Sequence, residues 1–272
     1  MKRLPASYPS FFDIELSLDA AKLVQYAYAM YDQWTEQHRP RQRHKFSWAI
    51  PSEQGLTFGK SLWSELHLWH FFSEAEPFAF VAEDRHNERN WLVFRGTKSK
   101  WDWLSDAESD LQPFDGGGKA HHGFLKLFNA MRTSIEEAVR AARSPVEEWV
   151  LCGHSLGSTL ATLACFQLRE ILPMDCRIHL ITFGSPRVGD IDFSHAFEKL
   201  QVKHTRVINS SDVVPTMPPS VFLNSHYQHV GSTLSFTWQR AGIGDNHSHI
   251  SCYLPLMHEM YASEEWSLLK PR

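Results

Sequence analysis

Residues 149–163 read W-V-L-C-G-H-S-L-G-S-T-L-A-T-L, and the fold follows from this stretch. The apolar run Trp149 to Cys152 predicts a buried strand, and Gly153-His154-Ser155-Leu156-Gly157 then turns the chain. From Leu156 onward, Leu160, Leu163 and Ala164 recur at helical spacing. A strand, a sharp turn and a helix around G-x-S-x-G form a nucleophile elbow. Its glycines let strand and helix approach closely, and its serine stands at the top of a sheet. The helix N-terminus behind that serine favours developing negative charge. A serine N-cap on an ordinary turn would need neither glycine. The flanking strand and uninterrupted helix therefore make Ser155 the candidate nucleophile.

Outward from the elbow, strands and helices alternate. Phe78 to Glu83 and Trp91 to Phe94 are strand-like, and the polar D-R-H-N-E-R-N between them predicts a hairpin. A helix is expected from about Leu125 to Ala142, ended by Ser144-Pro145. After the elbow come a strand at His179 to Phe183, a helix at Ile191 to Leu200 and a strand at Thr205 to Ile208. Tyr227 to Val230 is a candidate short strand, and His249 to Met260 reads as helix. This order predicts an α/β fold with a mostly parallel sheet covered on both faces. At 272 residues, one domain spanning 1–272 is the expectation, with 1–75 an N-terminal helical part packed on it. Leu18 to Trp34 supplies its helix, and Leu62 to Phe72 its aromatic residues.

The formal charge of −4 leaves no basic footprint for nucleic acid. The basic run H-R-P-R-Q-R-H-K at 38–45 reads either as a solvated loop or as an attachment to anionic lipid. No apolar run is long enough to span a membrane. The N-terminus lacks the apolar core of a signal peptide, which fits a cytoplasmic protein or the mature form of a secreted one. Cys152, Cys165, Cys176 and Cys252 contain no C-x-x-C pair, and no ligand cluster calls for a metal or cofactor.

A serine hydroxyl needs a base to take its proton and an acid to orient that base. Asp212, just past the strand T-R-V-I-N and second after the elbow, has the position and chain order expected of the acid. The histidines after it are His226, His229, His247, His249 and His258. His247 and His249, in G-D-N-H-S-H-I-S-C-Y-L, lie in a loop ahead of a closing element. His249 is preferred for its nearness to Tyr253-Leu254, with His247 second. Two oxyanion donors are expected, the N–H of Leu156 and that of Thr97 in F-R-G-T.

With these residues in place, the chain resembles the class 3 (fungal-type) triacylglycerol lipases. The matching phrases are F-R-G-T at 94–97, D-W-L-S-D at 102–106, H-H-G-F at 121–124 and G-H-S-L-G at 153–157. They continue with T-F-G-S-P-R-V-G-D at 182–190, R-V-I-N-S-S-D-V-V-P at 206–215 and Y-Q-H-V-G at 227–231. The resemblance implies an α/β-hydrolase fold, a triad of Ser155, Asp212 and a histidine, and an oxyanion site at Thr97 and Leu156. It also implies a lid after Thr97, with Trp101, Trp103 and Leu104 on its apolar face. Ser158 stands where such proteins often have glycine, so a local adjustment is expected there. The implied activity is hydrolysis of acylglycerol esters through an acyl-enzyme, at a lipid–water interface. Soluble short-chain or feruloyl-type esters and a catalytically silent lipid-binding protein are the alternatives.

Overall fold

The apolar runs of the sequence line up as one sheet because each has side chains for both of its faces. In a computed structural model, residues 2–5, 9–10, 12–53, 55–64, 75–97, 110–142, 146–222 and 225–263 are described. The candidate lid residues Trp101, Trp103 and Leu104, and the aromatic stretch from Leu66 to Phe72, lie outside them.

In chain order the elements begin with β1 (Lys2–Arg3), α1 (Ile14–Glu36), β2 (Leu56–Ser64), β3 (Glu76–Asp84) and β4 (Arg89–Phe94). A small ribbon, β5 (Leu111–Pro113) and β6 (Lys119–His121), leads into α2 (His122–Ala141). Then come β7 (Glu148–His154), α3 (Leu156–Ile171), β8 (Arg177–Phe183), α4 (Ile191–Lys199) and β9 (Lys203–Asn209). The chain closes with β10 (Val221–Phe222), β11 (Ser225–His226), β12 (Ser232–Trp238), α5 (Ile243–His247), a π-helical turn (His249–Tyr253) and α6 (Leu254–Ala262).

Eight strands form the main sheet in the order β1-β12-β9-β8-β7-β4-β3-β2. The pairs from β12 across to β4 are parallel, and β3, β2 and β1 are antiparallel to their neighbours. Successive side chains point to opposite faces. Trp149 and Leu151 therefore pack with α2, α3 and α4, while Val150 and Cys152 pack with α1 and α6. Burial on both faces is what a near-continuous apolar strand implies. The expected α/β-hydrolase architecture is borne out.

Three local readings differ. β2 is a strand inside the part expected to be helical, and its Leu62 and Trp63 are buried. Tyr227 to Val230 is irregular, with only a bridge from Gln228 to Gly189; the strand is β12 instead. β12 alternates, with Leu234 and Phe236 buried and Ser235 exposed, so its signal was a period of two. The helix expected from His249 begins as a π-helical turn.

The central strands end at one edge, at Phe94, His154, Phe183 and Asn209, and the turns that follow carry Gly96-Thr97, Ser155, Gly184 and Asp212. Arg95 anchors the first of these turns. It is 1% exposed; its Nε donates to the Pro77 carbonyl at 2.8 Å and its Nη1 to that of Gly96 at 2.8 Å. Nη2 lies 3.0 Å from Glu76, and the guanidinium sits about equally close to the Tyr31 and Phe78 rings, at 4.0 and 4.1 Å. Removing one partner of such a pair leaves an uncompensated buried charge. Arg95→Met is expected to lower unfolding stability by about 3–5 kcal/mol in chemical denaturation.

Candidate active site

Ser155 occupies a backbone conformation that a side chain seldom adopts, with φ 57° and ψ −128°. Such strain costs about 1–3 kcal/mol and persists only where the surroundings enforce it. Here the Ser155 N–H donates to the Phe183 carbonyl at 2.9 Å, locking the turn to β8. Gly157 lets α3 reach the strand behind it, since a Cβ there would fall against the carbonyls of Arg95 and Phe94. Ser158 places its hydroxyl against the strand ends. Its hydroxyl donates to the Gly153 carbonyl at 2.8 Å and stands 3.2 Å from that of Phe183.

Asp212 lies in the turn after β9 and is 3% exposed. Its Oδ1 accepts the Val214 N–H at 2.9 Å. Its Oδ2 accepts from the Tyr253 hydroxyl at 2.6 Å and from His247 Nδ1 at 2.7 Å. Nδ1–H on the carboxylate leaves Nε2 as the basic nitrogen of a neutral His247. Gly184, at φ 58°, keeps this corner open: a Cβ there would lie 3.1 Å from both Asp212 Oδ2 and His247 Cε1. Asn209 braces the corner, donating through Nδ2 to the carbonyls of Trp238 at 2.9 Å and Asn246 at 3.1 Å.

This geometry corrects the choice between the two histidines. The imidazole on Asp212 is His247, not His249. His249 Nε2 donates instead to the Ala21 carbonyl on α1 at 2.8 Å, and its ring stacks near Tyr28 with centroids 6.0 Å apart. His247 ends α5, whereas His249 begins the next turn, so two positions along the chain separate two directions in space. Tyr253 itself contacts Asp212.

Of the two oxyanion candidates, Leu156 is the first residue of α3. Thr97 follows Gly96, whose backbone is pressed on the elbow: a Cβ on Gly96 would lie 2.9 Å from Ser155 Cβ and 2.8 Å from the His154 carbonyl. Leu156 thus adjoins Ser155 in the chain, and Gly96, the neighbour of Thr97, is packed against it. Sequence reasoning passed over His154, Tyr253, Asn209 and Tyr28. His154 was visible as the second residue of G-H-S-L-G; the others have no local motif.

Burial dominates the electrostatics. It holds His249 down at about 4 and His154 well below 6.5, with the neighbouring histidines pushing His154 the same way. Burial likewise lowers His121 to about 4, and His204 and His229 to about 3.

The chain matches the family described as "Lipase (class 3)" over residues 91–222. It is 30% identical over 241 residues to phospholipase A1-Igamma1, chloroplastic, of Arabidopsis thaliana, covering 74% of this chain and 45% of that one. The lipase of Rhizomucor miehei is 31% identical over 150 residues, 53% of this chain and 41% of that protein. The crystal structure of a lipase from Rhizopus microsporus var. chinensis shares the fold, with a TM-score of 0.61 at 21% identity over 86% of this chain and 82% of that one. The chain thus spans less than half the length of the curated relatives it matches.

The lowered histidines make the fold sensitive to acid. Below about pH 6.5 the unfolded chain takes up protons that the folded histidines refuse. Their contribution to stability is full above that value and is lost progressively as the pH falls towards 4. The urea midpoint at pH 5 is expected to lie well below that at pH 7.5, and equal midpoints would contradict it.

Proposed function

We propose that this chain, which matches the class 3 lipase family and has the α/β-hydrolase fold, hydrolyses acylglycerol esters through an acyl-enzyme on Ser155. The observation that carries this reading is the buried contact of His247 with Asp212 at 2.7 Å, beside a serine held at positive φ. Ser155 Oγ attacks the ester carbonyl while His247 Nε2 takes its proton. Asp212 holds the imidazole in the tautomer this requires and stabilises the imidazolium. The N–H groups of Leu156 and Thr97 stabilise the oxyanion. His247 then protonates the leaving alcohol, and water, deprotonated by the same nitrogen, releases the fatty acid.

The names of the relatives support a lipid ester over a soluble one, and so does the placement of the basic run. Among the described residues no helix is long and apolar enough to cross a membrane. Arg39, Arg41, Arg43 and Lys45 are exposed, and no carboxylate lies between Glu36 and Glu53. The run starts where α1 ends: the Arg39 N–H donates to the Trp34 carbonyl at 3.0 Å and Trp34 Nε1 to that of Pro40 at 3.1 Å. Phe46 then packs on Trp63, with centroids 5.7 Å apart, and Trp63 pairs with Pro77 beside the Arg95 anchor. That is the sheet edge that carries Ser155, so an anionic lipid surface bound by the run would face the site.

Hydrolysis of p-nitrophenyl esters from acetate to palmitate tests the chemistry. Ser155→Ala and His247→Ala are expected to lower kcat by about 10⁴-fold, with wild type favouring medium or long chains. His249→Gln, which can still donate to Ala21, is expected to keep kcat within about threefold per folded molecule. A large loss in His249→Gln with none in His247→Ala would reverse the assignment. Sedimentation with phosphatidylglycerol-containing vesicles tests the surface. Replacing Arg39, Arg41, Arg43 and Lys45 by Gln is expected to weaken binding at least about tenfold in low salt, and equal binding to neutral vesicles would remove the idea.

A further inference from the structure

The mechanism above uses the ends of three segments and leaves unexplained how they stay in register. Gly96-Thr97 follows β4, His154-Ser155 closes β7, and His247 ends α5. A continuous chain of hydrogen bonds joins all three, and its centre is a residue of none of them. Tyr28, in the middle of α1 and 6% exposed, accepts the Gly96 N–H on its hydroxyl oxygen at 3.1 Å. The same oxygen lies 2.7 Å from His154 Nδ1. The other ring nitrogen of His154, Nε2, lies 2.7 Å from the His247 carbonyl oxygen.

The donors and acceptors can be ordered in one way for a neutral imidazole. A carbonyl oxygen only accepts, so His154 carries its proton on Nε2 and donates to His247. Nδ1 is then bare and accepts the Tyr28 O–H, while the oxygen of that hydroxyl accepts from Gly96, whose N–H can only donate. Burial keeps both side chains uncharged, raising Tyr28 above its usual value and lowering His154 below its own. The groups that face this chain from packed elements are His247 and His249, which lower His154 further, and Arg95, which acts on Tyr28 in the opposite sense to burial. The contact is tight as well as polar: a Cβ on Gly96 would stand 2.5 Å from the Tyr28 hydroxyl.

We propose that Tyr28 is a positioning residue for acyl transfer, its hydroxyl setting the separation between the oxyanion strap at Gly96-Thr97 and the base at His247 through His154. It touches neither substrate nor reacting atoms. Its effect falls on the transition state, because the Thr97 N–H must meet an oxygen that carries full charge only after attack. A displacement of about 1 Å at such a donor costs far more in turnover than in ground-state binding. The inference rests on the reading of Ser155 as nucleophile, and the experiment separates the two.

Tyr28→Phe deletes the hydroxyl and keeps the ring between its neighbours. Active sites are first counted by titration with a fluorophosphonate, so that rates refer to folded, reactive molecules. The expected result is a kcat lower by about 10- to 100-fold with KM within about twofold. The inhibition constant of an alkyl trifluoromethyl ketone, which adds to the serine and forms an oxyanion, should rise by the same factor as kcat falls. A residue needed only for folding would lower the titrated fraction and leave kcat per site and the ketone constant unchanged; that result overturns the proposal. Where Tyr28→Phe does not fold, 3-fluorotyrosine at position 28 keeps the shape and supplies a resonance. Addition of the ketone should shift that resonance, and an unmoved signal overturns the proposal. Failure of wild type to react with the fluorophosphonate or bind the ketone would instead remove the Ser155 reading.

Discussion

A carboxylate shut away from water has to be met by donors, and Asp212 draws three of them from separate places. The Val214 N–H comes from its own turn, the Tyr253 hydroxyl from the π-helical turn, and His247 Nδ1 from the end of α5. An isolated buried charge would cost many kcal/mol, so these contacts are conditions of folding as much as of chemistry. To supply them, the C-terminal segment must return to the edge of the sheet where β9 ends. Asn209 holds it there by binding the backbone of β12 and α5 together.

The return of the C-terminal segment fixes the role of α1. The π-helical turn and α6 pack with α1 against one sheet face, where Val150, Cys152, Phe183 and Val207 meet Ala21, Val24 and Met257. His249 binds the Ala21 carbonyl, so the residue two places after His247 ties that segment to the first helix. The opposite face, covered by α2, α3 and α4, holds the other apolar cluster, and Ser158 on α3 ties it to the Gly153 carbonyl.

Around His247 the protein removes charge rather than adding it. His154 and His249 lie with ring centroids 5.1 Å apart, and His154 is 4.5 Å from His247. Were all three protonated, their repulsion would act at short range in a poorly screened interior. Burial keeps His154 and His249 neutral. His247 thus faces the Asp212 carboxylate on one side and the uncharged ring of His154 on another.

Ser155 and Asp212 could be read from the sequence because their signals are local: a glycine-framed turn between strand and helix, and an aspartate directly after an apolar run. The parallel part of the sheet could be read for the same reason, since each strand announces itself within seven residues or fewer. The outer strands β2 and β12 bury fewer side chains and carry the fainter alternating pattern, which local reading places poorly. His247 and His249 share one short polar segment, and nearness to Tyr253, the local feature that favours His249, does not say where either ring points. Only tertiary structure decided between them, because the end of α5 turns one ring to Asp212 and the next turn directs the other to α1. The link from Tyr28 to Gly96 and His154, across 68 and 126 positions, is of the same kind. Patterns within one element depend on neighbouring residues, whereas a contact between elements exists only once the sheet has brought them together.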